Sequence, residues 1–314
     1  MKFVLDAEQR MFGETLRRLL ADAGTAKIAR AWAAGDSGPG RALWTSVAEA
    51  GVFAVAVPEE FGGAGRLPVE LAVAAEELGR ATAPGPYVET LAAAELLGES
   101  PWLPRIAEGE AVVTLAVPHA LDADVADLVL TADRVERKAG EALASLDPAR
   151  RLFRVEGGGG FTDSWWGADP PHPPAGIDLG VLLCAAQQIG LGQALLDVSV
   201  EYAKTRQQFG RPIGEYQAIK HHLATAMVEL EFARPLVYGA ALSYGTPDFA
   251  RDVSAAKVAA SEASYSLAKT ALQVHGAIGY TDEYDPSLWI RKARALYSAW
   301  GSVAEHRARV IAAL

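Results

Sequence analysis

The pattern of apolar and polar positions divides the chain into two helical regions that flank a strand-like one. Residues 1–103 carry apolar side chains at helical spacing, such as Leu16, Leu19 and Leu20, with turn-forming stretches at 36–40, 58–63 and 84–86. Residues 104–175 hold three short β-prone runs, at 111–117, 126–131 and 152–155. The pattern predicts an N-terminal helical domain over 1–103 and a small β domain over 104–175.

Residues 176–314 return to helical periodicity and predict a C-terminal four-helix bundle. The four apolar stripes are Leu182, Ile189 and Leu196; Ile219, Leu223, Met227 and Leu230; Val253, Ala256, Ala260, Ala263 and Leu267; and Leu296, Trp300 and Val303. The predicted fold is therefore mainly α. Strands and helices do not alternate along the chain, which argues against a Rossmann fold.

Composition narrows the classes of function. The chain has 314 residues, half of them hydrophobic, and a formal net charge of -10, which argues against nucleic-acid binding. Its one cysteine, Cys184, excludes an intrachain disulfide and a cysteine-based metal site. His221 and His222 are adjacent, so they point to different helix faces, and no other pattern predicts a metal site. Without a signal-peptide pattern or an apolar run of ~20 residues, we expect a cytoplasmic protein.

One stretch between two predicted helices contains more than a turn requires. Residues 206–217, RQQFGRPIGEYQ, combine turn-forming glycines with Arg206 and Phe209. The stretch is compatible with a purely structural turn in which Phe209 packs in the core. It is equally compatible with an anion site, in which Arg206 and backbone N–H groups bind a diphosphate while Phe209 lies against a flat ring.

A second stretch, QVHGAIGYTDE at 273–283, favours the ligand-binding interpretation. Gly276 and Gly279 permit close approach of a ligand or of a neighbouring backbone. The side chain of Gln273 offers both a donor and an acceptor, which suits the edge of a purine or a carboxamide.

Three blocks of the chain resemble the acyl-CoA dehydrogenases. They are LWTSVAEAGVFAVAVPEEFGGAG at 43–65 with VELAVAAEELGRATAP after it, RQQFGRPIGEYQAIKHHLATAMVELEFAR at 206–234, and ALQVHGAIGYTDEYDPSLWIRKARAL at 271–296. The resemblance implies FAD held without a GxGxxG motif and shared between two subunits. It implies that Arg206 and Phe209 contact the diphosphate and ring side, and Gln273 and Gly276 the AMP half. Ser302 falls near a further flavin-contacting hydroxyl.

The resemblance fails where the family carries its catalytic base. Family members place a glutamate after the final R-x-A-R segment, or near the start of the first bundle helix, to remove the Cα proton of the thioester. The matching positions here are Trp300 and Gly180, and neither side chain accepts a proton. Residues 104–175 are also shorter than the family's β-barrel and lack its flavin-ring motifs. Trp165 and Trp166 do not match the context of the family's tryptophan.

Retained cofactor contacts beside a lost base indicate the short subunit of an α2β2 heterotetrameric acyl-CoA dehydrogenase. The resemblance implies a longer partner subunit that supplies the base, and a steroid-derived acyl-CoA substrate. Two alternatives stay open. One is a flavin-free structural or regulatory homologue. The other is a self-sufficient enzyme whose base is Asp178, Glu201 or Glu283.

Overall fold

The computed structural model describes residues 4–131, 139–155 and 175–314. The N-terminal region is helical, as predicted. Its helices are α1 (Ala7–Asp22), α2 (Thr25–Ala33), α3 (Gly38–Glu49), α4 (Pro68–Arg80), α5 (Tyr87–Leu96) and α6 (Trp102–Ala107). Asp6 caps α1 with a reciprocal hydrogen-bonded box to Gln9. The predicted break at 36–40 is shorter than expected, because α3 already begins at Gly38.

Short strands follow, and each predicted β-prone run contains one of them. β1 (Val113–Leu115) pairs in parallel with β3 (Leu128–Leu130), while β5 (Leu152–Val155) lies between β2 (Ala120–Leu121) and β4 (Ala139–Leu143) in an antiparallel sheet. The sequence pattern missed β2, which has two residues, and β4, whose sequence AGEAL has no β-branched residue. Trp165, Trp166 and the loops expected at 157–160 and 169–174 lie outside the described residues.

The C-terminal region is a helical bundle around α7 (Ala175–Thr205), with α8 (Gln217–Leu242) and α9 (Phe249–His275) packed against it. Within the described ranges, one helix segment, Gly176–Thr205, is long and apolar enough to cross a membrane. However, 94% of its apolar window is buried inside the protein. It is therefore the central core helix of the bundle.

The prediction that Leu296, Trp300 and Val303 share a fourth helix is wrong. The region forms two helices, α10 (Pro286–Ser298) and α11 (Val303–Ala312). The chain breaks between them because Trp300 and Gly301 both adopt positive φ, 60° and 99°. Ser302 then caps α11 in a reciprocal box with Glu305. The Ser-x-x-Glu spacing is the sequence signal for this new helix start.

A pair of glycines sets the closest contact between the N-terminal region and the bundle. A Cβ added at Gly79 of α4 would lie 2.0 Å from the carbonyl oxygen of Gln187 in α7. A Cβ added at Gly190 of α7 would lie 1.7 Å from the carbonyl oxygen of Glu76 in α4. Backbone meets backbone at this crossing, so neither position tolerates a side chain without separating the helices.

We expect Gly190→Ala to lower the free energy of unfolding by about 1–3 kcal/mol, because the added methyl group must push α4 away from α7. Urea unfolding followed by circular dichroism measures the loss. Gly192→Ala is the matched control, since its added Cβ would meet side-chain methyl groups and no backbone atom: Leu230 Cδ1 at 2.9 Å, Leu230 Cδ2 at 3.6 Å and Leu267 Cδ1 at 3.7 Å. Equal losses in the two variants would contradict the tight crossing.

Candidate functional site

The turn after α7 is a β-hairpin that presents an aromatic ring to solvent. β6 (Gln207–Gln208) pairs with β7 (Arg211–Pro212), and the two central residues, Phe209 and Gly210, have φ of 53° and 82°. Positive φ at both central positions is the geometry of a type I′ turn. Phenylalanine rarely adopts this conformation. Phe209 is also 92% exposed to solvent. The interpretation of Phe209 as a core residue is therefore wrong.

Neighbouring contacts brace the hairpin and leave Arg206 available. The Tyr216 hydroxyl donates to the carbonyl oxygen of Gln208 at 3.1 Å, and the guanidinium of Arg211 lies 4.1 Å from the centroid of the Tyr216 ring. The backbone of Arg206 is paired at both its N–H and its carbonyl group. Its exposed guanidinium has no hydrogen-bond or ion-pair partner among residues 4–131, 139–155 and 175–314. The hairpin thus offers an exposed cation, unpaired within the described part of the chain, beside an exposed ring.

The second motif lies at the same end of the bundle. α9 ends at His275, and Gly276 follows with φ 68° and ψ -145°, a conformation that favours glycine. The His275 ring lies 3.3 Å from the Ser199 hydroxyl and its centroid is 4.4 Å from that of Tyr202, so α9 ends beside the last turns of α7. Gln273 and Gly276 are exposed there. The fold therefore places four of the five predicted cofactor residues at one end of the bundle: Arg206, Phe209, Gln273 and Gly276.

The two positions that the resemblance assigns to the base lie against each other. A Cβ added at Gly180 would lie 2.2 Å from Cζ3 of Trp300, so the indole packs directly on the α7 backbone. Trp300 is buried, with 3% of its surface exposed. The indole itself fills the space in which a base at either position would stand.

Buried polar groups hold the Trp300 loop in this arrangement. Nε2 of His306 donates to the carbonyl oxygen of Trp300 at 2.9 Å, and its Nδ1 accepts from the Ser254 hydroxyl at 3.2 Å, which defines the neutral tautomer. Burial lowers the pKa of His306 to about 3, and the nearby Lys257 acts in the same direction. Nζ of Lys257 donates to the carbonyl oxygen of Leu296 at 3.1 Å. His306 therefore holds the Trp300 loop, and Lys257 holds the last turn of α10 that precedes it.

Ser302 lies near the Trp300 loop, at the start of α7, whereas the other predicted cofactor residues lie at the end of α7. Its hydroxyl accepts from the backbone N–H of Glu305 at 3.2 Å as the cap of α11. From Gly180 to Thr205, α7 is about 37 Å long at 1.5 Å per residue. The hairpin and the Trp300 loop of one chain therefore lie at opposite ends of α7.

The three carboxylates considered as replacement bases lie outside the cavity beside Trp300. Asp178 is buried and accepts two hydrogen bonds from Arg309, at 2.7 and 3.1 Å. Glu201 is exposed and pairs with Lys204 at 2.6 Å, and Glu283 is exposed in a loop. None of the three lines the cavity beside Trp300.

A carboxylate that the sequence analysis missed, Glu89 of α5, lines the cavity beside Trp300. It is buried, with 4% of its surface exposed. Burial raises the pKa of Glu89, against the nearby positive charge of Arg150. A glutamate within the apolar run at 87–97 was the available sequence signal, because buried carboxylates are rare. Across the described ranges no group of three His, Cys, Asp or Glu residues is placed to hold a metal ion.

Comparisons with known proteins identify the family of the chain. Residues 6–110 match the model of the acyl-CoA dehydrogenase N-terminal domain, and residues 175–314 match that of the C-terminal domain. Acyl-CoA dehydrogenase IpdE2 of Mycobacterium tuberculosis is 36% identical over 300 residues, covering 91% of each chain. The chain belongs to the acyl-CoA dehydrogenase family.

Solved structures share the fold over nearly the whole chain. A chain of the ChsE4-ChsE5 complex from Mycobacterium tuberculosis aligns with a TM-score of 0.82 and 22% identity, covering 99% of this chain and 98% of that one. The Tcur3481-Tcur3483 steroid acyl-CoA dehydrogenase variant aligns with a TM-score of 0.82 and 23% identity, covering 97% of both chains. The predicted mainly α acyl-CoA dehydrogenase fold is confirmed.

We expect His306 to make stability depend on pH. Its folded pKa, about 3, lies below its ordinary value of 6.5, so its contribution is full above pH 6.5 and is lost as pH falls towards 3. Between pH 6.5 and 4, the free energy of unfolding of the unmodified chain should fall more steeply than that of His306→Gln. The difference in slope should reach up to about 1.4 kcal/mol per pH unit. Urea unfolding at several pH values gives both slopes. Parallel curves would refute the role, and His222→Gln on the exposed face of α8 is the control.

Proposed function

We propose that this chain is the short subunit of a heteromeric, FAD-dependent acyl-CoA dehydrogenase that introduces an α,β double bond into an acyl-CoA thioester. The chain contributes contacts to the adenine and diphosphate of a shared FAD, and a longer partner subunit supplies the catalytic base. The observation that carries the proposal is the indole of Trp300 packed on Gly180, where a base would otherwise stand. The assembly works in the cytoplasm.

The residues at the hairpin end fit the outer half of FAD. Arg206 has no ion-pair partner in the described part of the chain and can bind a diphosphate, while Phe209 offers a ring to a flat group. A Cβ at Gly276 would meet nothing within 4 Å, so open space lies beside it for the AMP half near Gln273. When bound, FAD supplies the hydride acceptor of the reaction. This chain's residues hold it in place and leave proton removal to the partner.

The separation of the two ends supports a cofactor shared across an interface. The hairpin grips one FAD, about 37 Å along α7 from the loop where this chain's own base would lie. A residue set that contacts only the outer half of a cofactor needs another chain for the reactive half. The alignment with chains of two-protein acyl-CoA dehydrogenases supports a partner of the same fold.

The surface of α8 offers a place for that partner. Val228, Phe232 and Leu236 repeat every four residues along one face, and Phe232 is 75% exposed. A groove of about 560 Å³ between α8, α9 and α10 adjoins this stripe. Exposed apolar stripes of this kind mark interaction surfaces. We assign the stripe to the longer subunit.

The acyl group is assigned as steroid-derived. Support comes from the structural likeness to a steroid acyl-CoA dehydrogenase and from the 36% identity to IpdE2 over almost the full length. The partner's pocket decides which thioester is accepted, because the corresponding space in this chain is occupied by Trp300.

Co-expression with the longer subunit tests the proposal through flavin content. We expect yellow protein only when both chains are present, since this chain alone holds half of a site. Arg206→Ala and Gln273→Ala in the complex should each weaken FAD retention by about tenfold or more, as expected for loss of a charge-assisted or buried hydrogen bond. Absorbance near 450 nm after gel filtration and dilution measures retention.

Lys204→Ala is the matched control, because Lys204 is an exposed cation two residues before Arg206 and pairs with Glu201. It should leave flavin content unchanged. A yellow protein from this chain alone would favour a self-sufficient enzyme, and colourless protein in both cases would favour a flavin-free homologue. Unchanged flavin content in both Arg206→Ala and Gln273→Ala would reject the assignment of the hairpin end.

We expect Phe232→Glu to dissociate the complex, because it places a charge in an apolar interface at a cost of several kcal/mol. Light scattering after gel filtration gives the mass of the assembly. Met11→Glu changes another exposed apolar residue, on α1, and should leave the assembly intact. A complete assembly in Phe232→Glu would show that the partner binds elsewhere.

A further inference from the structure

The hairpin after α7 carries two arginines on one face. Gln208 of β6 pairs with Arg211 of β7, and the ladder continues one step further, where the N–H of Ile213 donates to the carbonyl oxygen of Arg206 at 2.8 Å. Side chains of paired residues point to the same face of a hairpin, and so do those of residues two positions apart on one strand. The pairing therefore places the side chains of Arg206, Gln208 and Arg211 on the same face.

The two arginines lack acidic partners. The chain has 39 acidic and 29 basic residues, so carboxylates for ion pairs are in excess. Even so, the exposed guanidinium of Arg211, like that of Arg206, makes no hydrogen bond or ion pair with any residue of the described ranges. Like charges at neighbouring positions of one face repel each other. A face that keeps both charges without a counter-charge suits a ligand with two negative charges.

Tyr216 holds the second arginine in place. The guanidinium of Arg211 lies 4.1 Å from the centroid of the Tyr216 ring, which is a cation–π contact. The Tyr216 hydroxyl donates to the carbonyl oxygen of Gln208 at 3.1 Å and so ties the ring to β6. The ring also meets the Phe209 ring edge-on, with 6.4 Å between the centroids. A guanidinium that stacks by its flat face keeps the N–H groups at its edge available, so Arg211 can bind a phosphate group through them.

We propose that Arg211 is a second diphosphate-binding residue of this chain, so that the hairpin face binds one phosphate group through Arg206 and the other through Arg211. A diphosphate linkage carries two negative charges, and two arginines neutralise both. Gln208 lies on the same face and offers side-chain N–H groups to the phosphate oxygens. Tyr216 is a positioning residue, because its ring orients the guanidinium of Arg211. This inference rests on the proposed function, since it takes FAD as the source of the diphosphate.

FAD retention by the complex with the longer subunit tests the role of Arg211. We expect Arg211→Gln to weaken retention by about tenfold, because a charge-assisted hydrogen bond to phosphate is lost. Arg18→Gln is the matched control, since Arg18 is an exposed arginine of α1, and it should retain FAD as the unmodified complex does. Absorbance near 450 nm after gel filtration and serial dilution gives the retention, and light scattering on the same samples gives the mass of the assembly.

ADP and adenosine, titrated into the flavin-depleted complex, separate phosphate binding from a change in the shape of the hairpin. Both probes carry the adenine, and only ADP carries the diphosphate. Arg211→Gln should weaken ADP binding by about tenfold and leave adenosine binding unchanged. Tyr216→Leu removes the ring under the guanidinium and should weaken ADP binding several-fold, whereas Tyr216→Phe keeps the ring and should weaken it less.

Equal FAD retention by Arg211→Gln and Arg18→Gln would overturn the inference, and so would equal weakening of ADP and adenosine binding. ADP binding by Tyr216→Leu as tight as that of the unmodified complex would overturn the positioning role. If Arg206→Ala loses FAD while Arg211→Gln retains it, the shared-cofactor proposal stands and the second cation fails. A colourless unmodified complex would overturn the proposed function and this inference with it.

Discussion

The packing of one indole on one stretch of helix backbone decides how this chain can be understood. Trp300 can reach α7 only because residue 180 is a glycine, and a Cβ there would lie 2.2 Å from the ring. The contact also requires positive φ at Trp300 and Gly301, which ends α10 and starts a separate α11. Side-chain identity, loop conformation and the helix break are thus one coupled feature, held by the hydrogen bond of His306 to the loop and that of Lys257 to the last turn of α10.

Many of the helices were predictable from sequence, because apolar periodicity directly reports which face of a helix is buried. Leu16 and Leu20 of α1, and Leu182, Ile189 and Leu196 of α7, are buried as the spacing required. The error at Trp300 has a physical cause. An apolar residue four positions after Leu296 fits a helical stripe, and periodicity cannot show that the backbone turns left-handed there.

The candidate site was predictable only in part. The glycines and Arg206 predicted a turn with a cation, and the structure added that Phe209 is held in solvent by a strained hairpin. That Gly180 and Trp300 touch each other was beyond the sequence, because they lie 120 positions apart and meet only through the fold of the bundle. Glu89 and Arg150 were missed for the same reason. Their significance comes from facing one cavity, which no linear pattern records.

The length of α7 has a consequence for how such chains diverge. Because the hairpin and the Trp300 loop lie at opposite ends of one long helix, a substitution at one end leaves the geometry of the other end in place. The two ends are therefore free to diverge independently among related chains, because no side chain of one end has to repack when the other changes.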